Sequence, residues 1–148
     1  MKDKLGISLV VLVIIIIVMI ILSTVVIISG KNAYEDSQKS KMKIEIAQIE
    51  NLANNYYTRK SGVLDFAKVE LTIPDEYMNQ FLGEDIVDSK VSMYVLDLNK
   101  IDASETSYGN LEQGENDRYI YSTTTKKVYY EKGIKIGGKI YYRIDDEI

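Results

Sequence analysis

Six carboxylates, Asp97, Asp102, Glu105, Glu112, Glu115 and Asp117, fall in or beside one stretch rich in Asn, Gly and Ser. Loop carboxylates are the oxygen ligands that Ca²⁺ takes, and a pair at the right separation is what glycoside hydrolysis needs. Their spacing lacks the Asp-x-Asp-x-Asp-Gly pattern of a calcium loop, so solvated loop charge is the preferred reading. The chain has twelve tyrosines. Tyr129, Tyr130, Tyr141 and Tyr142 would make stacking platforms for a sugar. Alternation along strands accounts for them more simply, with one of each pair toward a helix and the other toward solvent or a neighbour. The chain has no Cys and no His, which removes zinc sites built on them, thiol nucleophiles and Ser-His-Asp catalysis. Gly133, Gly137 and Gly138 sit among strands and form no phosphate-cradling motif. No catalytic residue, metal ligand or cofactor is therefore expected, and the chain reads as something other than an enzyme.

The elements that hold these residues start with an anomaly. From Leu5 to Gly30 there is no charged residue. About twenty apolar residues in a helix cross a bilayer core of about 30 Å, and this run is longer. It also exceeds the apolar region of a secretory signal, usually about 7–15 residues, and its end lacks a small-x-small cleavage site. A retained membrane helix is expected, with a kink at Ser29-Gly30. Lys2 and Lys4 lie before it, and Lys31, Lys39, Lys41 and Lys43 after it. This asymmetry is too slight to set orientation. Formal net charge is -4, with the acidic excess after the apolar run, which makes nucleic acid an unsuitable partner.

Beyond Gly30 the pattern becomes periodic. Met42, Ile46, Ile49, Ala53 and Tyr56 are spaced four, three, four, three, the spacing of one helical face. Ala47 and Leu52 widen the stripe, and Lys43, Glu45, Gln48, Glu50 and Asn54 fall on the other face. One helix from about Leu5 to Tyr57 is expected, its later half packing on the protein's own sheet rather than in a short coiled coil. Ser61-Gly62 reads as a turn, and Val69 to Ile73 as a short strand. Pro74 to Gly83 reads as a short helix burying Tyr77, Met78, Phe81 and Leu82. Val91 to Leu98 reads as a strand, followed by a long loop from Asn99 to Asn116 with a helical turn around Leu98 to Ala103. Arg118 to Ser122, Val128 to Glu131, Ile134 to Ile136 and Lys139 to Ile144 read as strands. Thr123 to Lys127 and Gly137-Gly138 are the turns, the second a two-residue hairpin. Three or four of these strands should form an antiparallel meander. The fold class is α+β: a long amino-terminal helix, membrane half and amphipathic half, on a small antiparallel β-sheet.

This architecture resembles the type IV pilins and the pseudopilins of type II secretion. Those families begin with a short basic leader ending in Gly, then a large apolar residue, a hydroxyl residue, Leu, an aliphatic residue and Glu. Here MKDKLG would be the leader, Gly6 and Ile7 the processing position, and Ser8, Leu9, Val10 and Val11 the start of the assembly helix. The carboxyl-terminal tyrosine-rich strands also look like those of pilin-like proteins of Gram-positive bacteria, and the wealth of Ile, Lys and Asn points to a low-GC bacterial source. Two features depart from the pattern: Val11 stands where the family has Glu, and the family's Pro within the apolar half is absent. Some minor pseudopilins also lack that Glu.

The resemblance implies residues 1–6 as leader, 7–30 as transmembrane helix, 31–57 as its amphipathic continuation, and 58–148 as the β head. It implies a single-pass protein of the cell membrane with an extracytoplasmic head, processed by a prepilin peptidase and assembling with itself or other pilin-like subunits. Apolar helices would then pack by van der Waals contact. The other reading is a single-pass anchored binding protein that does not polymerise.

Overall fold

In a computed structural model of the chain, the described residues are 2–103 and 105–145, with side chains from Ser8 onward. One α-helix, α1, covers Lys2–Arg59 and runs without a break through Ser29 and Gly30. By contacts the chain divides into two compact units, one ending at Ser37 and the other beginning at Gln38.

In the first unit the large apolar side chains from Leu9 to Ile28 are exposed. In the second, α1 buries Met42, Ile46, Ile49, Ala53 and Tyr56, the stripe read from the spacing. Leu52 packs at its border. Ala47, expected to widen the stripe, is exposed, because its neighbours Ile44 and Gln48 lie on the far side of the helix. The helix ends where the Gly62 N–H donates to the Tyr57 carbonyl at 3.0 Å. Ser61 and Gly62 both take left-handed φ, 56° and 78°, which Gly adopts at no steric cost.

Five strands form the main antiparallel sheet: β1 (Lys68–Leu71), β2 (Ile86–Val87), β3 (Lys90–Val95), β4 (Tyr119–Tyr121) and β5 (Val128–Tyr130). Strand β3 is central. Val91 faces Leu71 of β1 on one side and Ile86 of β2 on the other, while Tyr94 pairs with Tyr121 of β4. Tyr119 then faces Tyr130 across β4 and β5. The turn joining β2 to β3 is Asp88-Ser89, with both φ positive, a turn that the sequence did not flag because neither residue is Gly or Asn. A correction concerns the end of the chain. Strands β6 (Ile134–Ile136) and β7 (Lys139–Tyr141) form a separate two-stranded sheet rather than continuing the meander, and β7 stops before Arg143 and Ile144. Their turn is Gly137-Gly138, with φ of 58° and 80°, as two-residue hairpins require.

Strand alternation sorts the tyrosines. Tyr119, Tyr121, Val128 and Tyr130 face α1. Ile120, Tyr129, Val91 and Met93 face away, into a second apolar cluster with Ile73, Phe81 and Tyr142. The outer face of the sheet is thus covered too, where solvent or a neighbour was expected. The cover is the segment read as a short helix. It forms two 3-10 helices, Asp75–Gln80 and Gly83–Asp85. With three residues per 3-10 turn, Met78 and Phe81 align, while Leu82 falls off the face and is exposed. Phe81 stacks on Tyr129 with ring centres 4.7 Å apart. The Gln80 side chain fastens the cover: it donates to the Ile140 carbonyl at 2.6 Å and accepts from the Tyr142 N–H at 2.8 Å.

Candidate functional site

The first candidate is the apolar half of α1. Lipid offers no partner for a polar group, so each one needs an internal bond. The hydroxyls of Ser23 and Thr24 supply their own: Ser23 donates to the Met19 carbonyl at 2.7 Å, and Thr24 to the Ile20 carbonyl at 2.9 Å. Both bonds reach back one turn and leave the outer surface apolar. The segment is long and apolar enough to cross a membrane. Of the residues expected to carry processing and assembly, Gly6 and Ile7 have side chains outside the described residues. Ser8, Leu9, Val10 and Val11 follow on the helix and are all exposed. Lys31 and Tyr34, also exposed, stand just past the run, where an ammonium and a phenol suit the bilayer–water interface.

The second candidate is the seam where the later half of α1 meets the sheet. Sequence periodicity assigned Glu45, Glu50 and Asn54 to the water-facing side. They instead flank the apolar stripe and hold it. Glu45 accepts three hydrogen bonds: from the Tyr119 hydroxyl at 2.8 Å, the Tyr108 N–H at 3.0 Å and the Ser107 N–H at 3.1 Å. Glu50 accepts from Arg143 Nη1 at 2.8 Å and from the Val128 N–H at 3.2 Å. Asn54 accepts from the Tyr121 hydroxyl at 2.6 Å. These residues stand one position from the buried stripe, at angles where a long polar side chain reaches the neighbouring sheet. The only sequence signal was their position beside the stripe.

Two buried carboxylates fasten the loops. Asp117, with no exposed surface, accepts from the Gly109 N–H at 2.7 Å, the Gln113 N–H at 3.2 Å and the Tyr130 hydroxyl. Burial pushes its pKa up, but the Tyr130 hydroxyl and the two backbone donors outweigh burial and hold it below the ordinary carboxylate value. Asp85 accepts from the hydroxyls of Ser122, Thr125 and Tyr129. Asp117 was read as solvated loop charge, and that reading is corrected; Asp85 was not singled out. Partners far away in sequence make both sites.

The tyrosines facing these carboxylates are correspondingly hard to ionise. Burial, then Glu45, pushes the Tyr119 phenol far up; burial and Asp117 do the same to Tyr130. Tyr121 is pushed up to about 12, mainly by burial.

A groove of about 830 Å³ runs beside the long loop, lined among others by Asp97, Glu105, Glu112 and Arg118. Its cation is already taken, since Arg118 makes a two-point ion pair with Glu131. Among the described residues, no three carboxylates converge as a metal site would require, and no buried side-chain polar atom lacks a partner. No protein-family model matches this chain, and neither does any curated protein or solved structure.

Proposed function

We propose that the chain is a structural subunit of a pilin- or pseudopilin-like assembly. In this reading the apolar half of α1 lies in the cell membrane, the head lies outside the cytoplasm, and copies or related subunits pack through their apolar helices. The observation that carries it is the division of labour within α1. Residues from Leu9 to Ile28 bury no large apolar side chain in their own chain, whereas Met42 to Tyr56 are committed to the head. A run this long and apolar is what crossing a bilayer needs, and its exposed side chains leave a surface on which neighbouring helices can pack. The resemblance adds a processing step at Gly6-Ile7 by a prepilin peptidase. No enzymatic role is part of the proposal.

Because the chain has no Cys, single cysteines report contacts cleanly. With Cys placed in turn at each position from Leu9 to Ile28 of the membrane-embedded chain, oxidation should cross-link neighbours on a helical period. A uniform absence of cross-links at native expression would overturn the proposal. The intact mass of the membrane-extracted chain, from a host with an active prepilin peptidase, tests the processing step: loss of Met1 to Gly6 is expected.

A specific feature favours the second reading, a single-pass binding protein that does not polymerise. Val11 replaces the carboxylate that the family uses to neutralise a neighbouring amino terminus, and an unpaired charge in an apolar helix bundle is costly. Under that reading Val11→Glu changes nothing in assembly; under the first it increases cross-linking.

A further inference from the structure

We infer that the free edge of β1 docks on the β1 edge of a second copy, strand antiparallel to strand, about a two-fold axis at Val69. The inference concerns the heads alone. It does not rest on packing of the apolar helices, and the two fail separately.

The backbone ladder fixes which groups are on offer. Along an antiparallel pair, residues alternate between turning their N–H and C=O toward the neighbouring strand and away from it. The Val95 N–H donates to the Ala67 carbonyl at 2.7 Å, and Val69 and Leu71 stand opposite Met93 and Val91. Ala67, Val69 and Leu71 therefore turn their backbone groups toward β3. Lys68 and Glu70 turn theirs outward, where among the described residues no hydrogen bond meets them. The edge is also uncovered, since Ala67, Lys68, Glu70 and Thr72 are all exposed. The opposite edge of the same sheet is closed: Glu50, Arg143 and the Tyr142 carbonyl occupy the outward groups of Val128 and the Tyr130 N–H.

The side chains select a second copy as the occupant. Val69 and Leu71 pack on the second apolar cluster, so alternation puts Lys68 and Glu70 on the other face. Outward residues can bond only with outward residues, which leaves three central registers. Lys68 against Lys68, or Glu70 against Glu70, sets like charges directly opposite and is destabilising. Lys68 against Glu70 of the partner subunit sets opposite charges together, and symmetry makes the pair twice. Val69 then faces its own twin across the axis, on the face that carries Met93. Pro74 has no N–H, so the ladder cannot lengthen past Ile73. Glu70 also meets Lys90 at 3.0 Å through Oε1, but both side chains are half-exposed. Such a pair contributes little, and Oε2 remains for the partner's Lys68. The contact is short beside the roughly 1,600 Å² of a standard interface, so it fills where copies are concentrated.

The test is disulfide cross-linking of the full chain in liposomes, with cysteine introduced one position at a time. In this register the two Val69 Cα atoms lie about 4.5 Å apart, a separation that a disulfide spans. Val69→Cys should therefore cross-link on mild oxidation, well above Lys135→Cys, an exposed position on the separate hairpin that reports random collision. Lys68→Cys alone should not, because its twin sits diagonally at about 8 Å. A mixture of Lys68→Cys and Glu70→Cys chains should. Adding Lys68→Glu to the Val69→Cys chain makes the edge all acidic, and adding Glu70→Lys makes it all basic. Each should slow cross-linking about tenfold, since both symmetric pairs turn from attraction to repulsion. Mixing the acidic and basic chains should restore it. Cross-linking at Val69 no faster than at Lys135 would overturn the inference, and this arm keeps the native charges, so it holds whether or not the reversed chains fold. Faster cross-linking with Lys68→Glu would also overturn it, by showing that Lys68 guards the edge, as would a mixture no faster than its components.

Discussion

Replacing Glu45 by Ala removes the acceptor for three donors at once, at a position where helical periodicity alone predicts no effect. A hydrogen bond to a charged acceptor contributes about 1.5–3 kcal/mol, and a buried donor left unpaired costs about 1–3 kcal/mol. Tyr119 is fully buried, so its hydroxyl bears the whole penalty. Ser107 and Tyr108 are half-buried, and water replaces much of what their N–H groups lose. The expected cost is about 2–4 kcal/mol. Glu45→Gln keeps an oxygen for the two bonds at Oε1 and loses mainly the one from Ser107, for about 1 kcal/mol. The assay is urea unfolding of the full chain in detergent micelles, followed by near-ultraviolet circular dichroism of the tyrosines. With a slope of about 1–3 kcal/mol/M, Glu45→Ala should lower the midpoint by roughly 1–2 M and Glu45→Gln by less than half of that. If Glu45→Ala unfolds within about 0.5 kcal/mol of the unaltered chain, the scale of an ordinary surface change, the seam is not held by Glu45 and the argument from these three bonds fails.

Ile49→Ala should cost about 2–5 kcal/mol in the same assay, as large-to-small core changes do, whereas Ile44→Ala, at a residue 59% exposed, should stay within about 0.5 kcal/mol. Gly109→Ala should be far more damaging than Gly138→Ala in thermal melts. Both have φ of 80°, but a Cβ at Gly109 overlaps the Tyr119 ring, while one at Gly138 meets nothing within 4 Å; the latter should cost only its left-handed strain, about 1–2 kcal/mol. The Asp117 pKa is held below its unfolded value of about 3.9, so its contribution is complete above that pH and is lost as pH falls through the folded value. Asp117→Asn should therefore flatten the acid side of a stability–pH profile measured by urea midpoints. Tyr119, Tyr121 and Tyr130 have pKa values raised above the unfolded value of about 10. Their contribution is complete below pH 10 and is lost as pH rises through the folded values. Absorbance titration should find them silent until the head unfolds in alkali.

How much of this was legible depends on the range of the interaction. The buried face of α1 could be read residue by residue from Met42 to Tyr56, because helical period and burial are both local. The Gly137-Gly138 hairpin was legible because two adjacent residues determine it. The second apolar layer was not. Nothing near Phe81 announces that it will stack on Tyr129, nearly fifty positions away, and a six-residue segment carries too few turns to separate a 3-10 from an α period. Detachment of β6 and β7 from the main sheet was also hidden, since strand-like runs look alike whichever neighbour they choose. The largest misreading concerned charge. Glu45, Glu50 and Asp117 look like solvated acids in sequence, and only the fold shows that the donors converging on them are Tyr119, Arg143 and Tyr130.

The contacts of Glu50 and Arg143 have a bearing on how crowded copies of the head behave. Strand β5 is the last of its sheet, and an outermost strand ordinarily offers its backbone to any passing chain. Here that offer is withdrawn. The Val128 N–H is taken by Glu50 and its carbonyl by Arg143 at 3.0 Å. The Tyr130 N–H reaches the Tyr142 carbonyl at 2.8 Å, and the Tyr130 carbonyl accepts from Gly133. A foreign strand would have to open an ion pair before gaining its first ladder bond. Heads brought to high local concentration would thereby be protected from fusing into a common sheet along β5, and any order among them would be left to other surfaces.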